Sequence, residues 1–382
     1  MNLELHILQS FAPSNLNRDD TGSPKDCEFG GVRRARVSSQ CWKRSIRLAF
    51  KQQGLLKEES LAVRTRKIAA TVAKLLVGAG KEAEAAKAVA DNALAAVGLG
   101  AGKSGDSEYL LFVPKSALAQ FAKACLDHWE ALQPRPESGG KKAAKKTDAE
   151  LPKEVKASLE GLFLAGQAAD LALFGRMIAD RPNDNVVAAT QVAHALSTHK
   201  VDLEFDFYTA VDDLQPEGET GAGMMGTVEY NAACFYRYAN IDLGQLRTNL
   251  DGNAALASEA VEAFLKASIE AVPTGKQNSM AAQNPPSLVF VVLRDSGLWS
   301  LANAFLKPVR ATGGHDLMSA SIAALGDYWD KLTKMYGDPD GAWLGIATLD
   351  PDSLGDLKEK KVETVSKLVQ TTVERCSKAF QG

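Results

Sequence analysis

The sequence predicts an α+β fold. Three observations carry that prediction: a period-two apolar pattern opens the chain, a long Ala-rich stretch of helical period follows, and residues 288–293 form an unbroken, β-branched apolar run. At the start, Leu3, Leu5 and Ile7 alternate with Glu4 and His6, so residues 1–9 read as a strand. A Pro/Asn/Asp loop leads to Ser38 or Ser39, either of which suits a helix N-cap. In the helix beyond, Trp42, Ile46 and Phe50 recur at i, i+4, i+8 as an apolar stripe beside a basic stripe of Lys43, Arg47 and Lys51. Residues 60–130 are helical in period, with Leu75, Leu76, Leu94, Val97, Leu118, Phe121 and Leu126 as core candidates. Residues 134–150 combine Pro, Gly and four lysines as a low-complexity linker. Helical pattern resumes at 155–173 and 187–196. From Val201 the period changes to two: Val201, Leu203, Phe205 and Phe207 predict a half-buried strand, and with 227–238 across a Gly-rich turn it makes a long hairpin. A helix over 254–271, a loop over 273–286, a central strand over 288–293, helices over 298–306 and 317–336, a strand over 343–349 and a C-terminal helix complete the outline.

The composition excludes several classes. The 382 residues are 45% hydrophobic and 24% charged, which is globular rather than disordered or fibrous. Five scattered Cys without a CxxC pair read as reduced cytosolic thiols, not a disulfide frame or zinc site. No apolar run reaches membrane-span length and no signal-peptide core opens the chain, so a cytoplasmic protein with no membrane partner is expected. The net charge of -3 offers no global case for nucleic-acid binding. Its distribution does. Between Gly30 and Gly54 lie Arg33, Arg34, Arg36, Lys43, Arg44, Arg47 and Lys51 with no acid, a +7 window that leaves -10 elsewhere. Like charges at i, i+4 repel, and Lys43 and Arg44 sit near the positive end of the helix dipole. A polyanion relieves both penalties, so the window reads as a phosphate-binding surface; the alternative is a solvated basic face.

Other motifs carry less. The segment 98–104 (GLGAGKS) lacks the first Gly of a P-loop, since Val97 stands there, and reads as a loop ending a helix. His315-Asp316 has no partner His at ligand spacing, and Asp316 suits an N-cap; His194 and His199 do not share a helical face. No metal or cofactor is assigned. Asp19, Asp20 and Asp26 share a loop with Arg18 and Lys25, read as a loop braced by its own salt bridges, with a magnesium-dependent nuclease site as the alternative. Phe207, Tyr208, Phe235, Tyr236 and Tyr238 cluster on the hairpin, as strand packing or as platforms for bases.

Residues 14–20 (SNLNRDD), Lys25-Asp26, 29–31 (FGG), 33–40 (RRARVSSQ) and Lys43-Arg44 closely resemble the CasC family, the backbone subunits of the type I-E CRISPR surveillance complex, Cascade. The likeness continues in order through 175–177 (GRM), 193–195 (AHA), Thr198-His199, 207–214 (FYTAVDDL), 235–240 (FYRYAN) and 302–305 (ANAF). This resemblance implies an RRM-like (ferredoxin-like) palm over 1–55 and 237–382, a helical fingers insertion over 56–197 and a β-hairpin thumb over 198–236. It implies a non-enzymatic protein of antiviral defence whose copies, about six, polymerise as a helical filament along a CRISPR RNA. The guide is kinked at regular intervals and pairs with a target DNA strand, alongside other Cascade subunits; backbone shape is read by protein and sequence by pairing, a division of labour seen in another RNA-guided effector. Arg18, Lys25, Ser38, Gln40, Lys43, Arg44 and Arg47 are thereby expected on guide phosphates and sugars, Met177 against a base near the kink, and Tyr208 and Thr209 as the wedge. Trp42 looks larger than usual for its position, and Phe207 stands where the family usually presents a larger aromatic. A magnesium-dependent RNase using a loop aspartate, as in type III backbone subunits, is the alternative function.

Overall fold

The structure is a computed structural model that describes residues 1–99, 110–134, 152–164, 167–178, 182–210, 213–214, 224–338 and 341–381. The Lys-rich linker, most of the 98–104 loop and the hairpin tip lie outside the described residues. The chain divides into two compact units, the first made of Met1–Leu55, Thr190–Gly244 and Val261–Gly382, the second of Leu56–Ala189 and Gln245–Ala260.

In chain order the elements begin with β1 (Asn2–Ser14), β2 (Asp26–Phe29), β3 (Val32–Val37) and α1 (Ser39–Gln52). Next come β4 (Ala62–Thr65), α2 (Ile68–Gly78), α3 (Ala83–Ala96), β5 (Leu111–Pro114), α4 (Lys115–Asp127), α5 (Trp129–Leu132), α6 (Lys153–Leu164) and α7 (Ala169–Phe174). The chain continues through β6 (Thr190–Val192), β7 (Ala195–Ser197), β8 (Glu204–Ala210), β9 (Met224–Asp242), α8 (Leu243–Asn249), α9 (Ala254–Glu270) and α10 (Gln277–Met280). It closes with β10 (Leu288–Arg294), α11 (Leu317–Tyr336), β11 (Trp343–Thr348) and α12 (Val365–Gln381).

The first unit is built on an antiparallel sheet ordered β11-β10-β1-β9-β7-β3-β2, with β6 and β8 also paired to β9. The fold is therefore mixed α+β. β1 and β10 lie inside the sheet and are buried on both faces, which explains the two-sided apolar run of 288–293. One face packs Leu8, Phe290, Val292 and Ile346 against Ile322, Leu325 and Trp329 of α11. A separate cluster packs Phe11, Val37, Trp42 and Phe235 together, so the bulk of Trp42 is spent inside the core. Asp316 caps α11 by accepting from the Ser319 N–H at 2.7 Å. The second unit has its own core, in which Val72, Leu76, Ala90, Leu94, Leu118 and Phe121 of α2, α3 and α4 meet.

Four sequence expectations need correction. Residues 187–196 are not helical but supply β6 and β7, because Thr190, Val192 and Ala195 find open hydrogen-bonding edges on β9 and β3. The Ala-rich region 60–130 contains a two-stranded ladder, β4 with β5, among its helices. Residues 298–306 hold only a 3₁₀ turn, Leu301–Phe305, capped by Ser300. β8 is a strand paired with β9, but it is exposed along its whole length rather than half-buried, since among the described residues no layer covers either face.

Candidate nucleic-acid interface

The N-terminus of α1 is fixed from two sides. The Ser38 hydroxyl accepts from the Cys41 N–H at 3.3 Å, while the Ser38 N–H donates to Asn17 Oδ1 at 2.9 Å. The loop after β1 is thus pinned to the helix it faces. Gly275 closes the other side: a Cβ there would strike the backbone oxygens of Asn15 and Leu16. Trp42, Ile46, Ala49 and Phe50 are buried, and the first turn carries no acid. The opposite surface presents Gln40 and Arg44 fully and Lys43 and Arg47 in part. Partial burial lowers the Lys43 ammonium, so that cation gains from a nearby anion.

Arg18 and Arg44 line one groove with Asn17, Cys41, Ser45 and Thr274, and the carboxylates Asp19 and Asp20 line it too. Lys25 joins them electrostatically: the Cys41 thiol is pushed up by burial, and Arg44 and Lys25 both oppose that shift. On the Lys25 side, Arg36 donates to His194 Nδ1 at 3.2 Å, and the His194 pKa is lowered by burial first and by Arg36 and Lys25 next. Arg18, Lys25 and Arg44 are therefore brought together, with Gln40, Lys43 and Arg47 on the same helix as Arg44; Ser38 itself is buried beneath them, its hydroxyl engaged in the cap.

The +7 window is not uniformly outward-facing. Arg34 is fully buried and spends its guanidinium on the carbonyls of Phe29, Ser197, Phe305 and Leu306. Arg33 pairs with Asp26 at 3.1 Å across the β2–β3 hairpin, so the acid absent from the window in sequence returns through the strand pairing. Arg36 is partly buried and binds the Asp26 carbonyl at 3.0 Å. The loop 19–26 is braced by hydrogen bonds rather than by ion pairs to Arg18 or Lys25. Asp19 Oδ1 accepts from the Thr21 N–H, the Thr21 hydroxyl and the Ser23 N–H at 2.8–3.0 Å, which holds its carboxyl below the usual range.

On the β8–β9 hairpin, Tyr208 and Thr209 point to opposite faces and both are exposed. The Tyr208 ring lies across Gly226 of the opposite strand, where a Cβ would meet its hydroxyl at 2.5 Å. Thr209 shares its face with Phe205 and Phe207, which are 65% and 64% exposed, and with Met225 opposite. Met225 is a candidate that the sequence reading did not select; Phe207, named there among the hairpin aromatics, stands beside Thr209 as the alternation 205–207–209 requires. Met177 belongs to the second unit, where it stands 85% exposed beside Arg176, which is anchored on the carbonyls of Phe112 and Asp184. Gly175 lies against the Val186 carbonyl with φ +73°, a conformation and closeness that favour glycine.

A family model described as "CT1975-like protein" matches residues 3–374. A solved structure titled "CRISPR RNA-guided surveillance complex, pre-nicking" contains a chain 33% identical, with a TM-score of 0.81, over 98% of this chain and 100% of that one. A second, titled "CRISPR RNA-guided surveillance complex", contains a chain 28% identical with a TM-score of 0.71, again over 98% of this chain and 100% of that one. No curated protein matches the sequence.

Proposed function

The chain belongs to the family of CT1975-like proteins, and on that footing we propose that it is a guide-RNA-binding backbone subunit of a type I-E Cascade complex. In this reading residues 1–55 and 237–382 are an RRM-like palm, 56–197 the fingers and 198–236 the thumb. Copies polymerise along the CRISPR RNA, the thumb kinks the guide, and the intervening nucleotides pair with target DNA. The observation that supports it most is the acid-free first turn of α1, capped by Ser38 and joined by Arg18, Lys25 and Arg44 on one surface. Phosphates there meet a helix N-terminus and several cations, while of the two carboxylates on the groove, Asp19 and Asp20, the first is turned to Thr21 and Ser23. Arg18, Lys25, Ser38, Gln40, Lys43, Arg44 and Arg47 hold the sugar-phosphate chain; Met177 stacks on a base, and Tyr208 and Thr209 form the wedge.

The role is non-catalytic, and Asp19 and Asp26 are engaged in structural bonds. The test is RNA affinity across a salt series. Replacing Lys43 and Arg47 together with Ala should weaken binding to unrelated RNA sequences equally and shallow the salt dependence by about two counterions. An unchanged affinity and slope would overturn the reading, and magnesium-dependent cutting of RNA, lost in Asp26→Ala, would replace it with a nuclease.

A further inference from the structure

The first unit buries three arginines, and they differ in how their charge is met. Arg294 is paired with Glu4, its Nε donating to Glu4 Oε1 at 2.6 Å. Arg237 has no such partner among the described residues. It is 7% exposed, and its guanidinium donates to Gln9 Oε1 at 2.6 Å and to the Ser268 carbonyl at 2.5 Å. Its flat face lies 3.6 Å from the centroid of the Trp42 ring on α1. Arg34, on the strand that runs into α1, is held by carbonyls alone. Burial pushes Arg237 down to about 9, so it stays charged at neutral pH.

A buried cation without an anion is unfavourable unless dipoles or an external anion meet it. The Gln9 and Ser268 oxygens and the Trp42 ring face meet the Arg237 guanidinium but leave its net charge. Arg237 sits behind the helix whose outer surface carries Lys43, Arg44 and Arg47, whereas Arg34, beside the Trp42-facing Ala35 on β3, turns to the other face of the sheet toward Phe305. Inside the protein its field is screened far less than that of exposed charges.

Resting on the nucleic-acid reading of that surface, we infer that Arg237 is a second layer of phosphate recognition: a buried positive charge behind α1 whose counter-ion is the bound polyanion. Arg237 acts through the field and through Trp42, and touches no phosphate. It is a positioning residue for α1 as well as a source of potential, and its effect is blind to base sequence.

The experiment compares Arg237→Gln and Arg237→Lys with the parent in the full chain, using single-stranded RNAs of two unrelated sequences across a salt series, together with thermal melts without RNA. Arg237→Gln keeps a donor toward Gln9 and Ser268 while removing the charge. It should bind both RNAs about tenfold more weakly at low salt, with the parent's salt slope, because no phosphate contact is lost. Its melting temperature should equal or exceed the parent's, and Arg237→Lys should restore most of the affinity. The inference is overturned if Arg237→Gln binds as tightly as the parent, or loses one counterion of slope like a direct contact. It is equally overturned if Arg237→Lys fails with Arg237→Gln and both melt lower, the signature of a packing anchor. A parent that binds neither RNA at low salt would instead remove the nucleic-acid reading itself.

Discussion

His6 shows how far a single side chain departs from what its type suggests. It lies fully buried among Tyr236, Tyr238 and Phe290, with ring centroids 5.2–6.2 Å away, and its Nδ1 meets the Tyr236 hydroxyl at 2.9 Å. Burial, reinforced by Arg294, pushes its pKa down from 6.5 to about 3. Between those values the unfolded chain binds the extra proton and the folded one does not. Stability is therefore complete above about pH 6.5 and falls as pH drops toward 3, by on the order of 5 kcal/mol. His6→Phe should flatten that part of the pH–stability curve in thermal melts, whatever it does to stability at pH 7. The alternation around His6 marked a strand but not its burial on both faces, because Glu4 and His6 look solvent-facing until Arg294, Tyr238 and Tyr236 arrive from more than 200 residues away. The +7 window misled in the same way: Arg34 and Arg33 count as surface charge in sequence, yet one is buried and the other is paired.

Among the elements, α1 was the most legible, since its apolar stripe, basic stripe and cap all follow from spacing within 15 residues. Ser38 carries two loads there, as cap and as proposed phosphate contact. Ser38→Ala should lower stability by about 1 kcal/mol in urea titrations at an unchanged m-value. Ser38→Asp should recover that loss, as a carboxylate caps well, while weakening RNA binding by repelling phosphate. A variant that recovers both would confine Ser38 to capping. The elements that sequence obscured are those whose pairing is non-local. β6 and β7 are three residues each and exist through their ladders to β9 and β3. β8 shows the alternation of a half-buried strand but has no covering layer among the described residues, so period two gave its conformation and not its burial.

At the scale of the whole molecule, each unit has its own hydrophobic core. Phe121 is fully buried in the second unit. Phe121→Ala should destabilise that unit by about 3–5 kcal/mol. Native-state hydrogen exchange should then show faster opening of α2, α3 and α4 while β1, β9 and β10 keep their protection. Equal acceleration throughout would mean that the two cores unfold as one. The α+β class was legible because periods of two and 3.6 occupy different stretches of chain; sheet order was not, since β1 pairs with strands more than 200 residues downstream.

β9 joins these scales. Its 19 residues span roughly 60 Å as one extended strand. From Asn231 onward it is sheet interior, and before that it is the exposed arm of the hairpin. At the changeover Asn15 Nδ2 donates to the Glu229 carbonyl at 2.9 Å and the Ser14 hydroxyl to the Asn231 carbonyl at 3.4 Å. The arm is thus a lever whose fulcrum is gripped by the same loop that carries Arg18 and Lys25. Whatever engages the exposed Phe205, Phe207 and Met225 of the arm is therefore joined, through Ser14 and Asn15, to the segment that leads into Arg18 and Lys25.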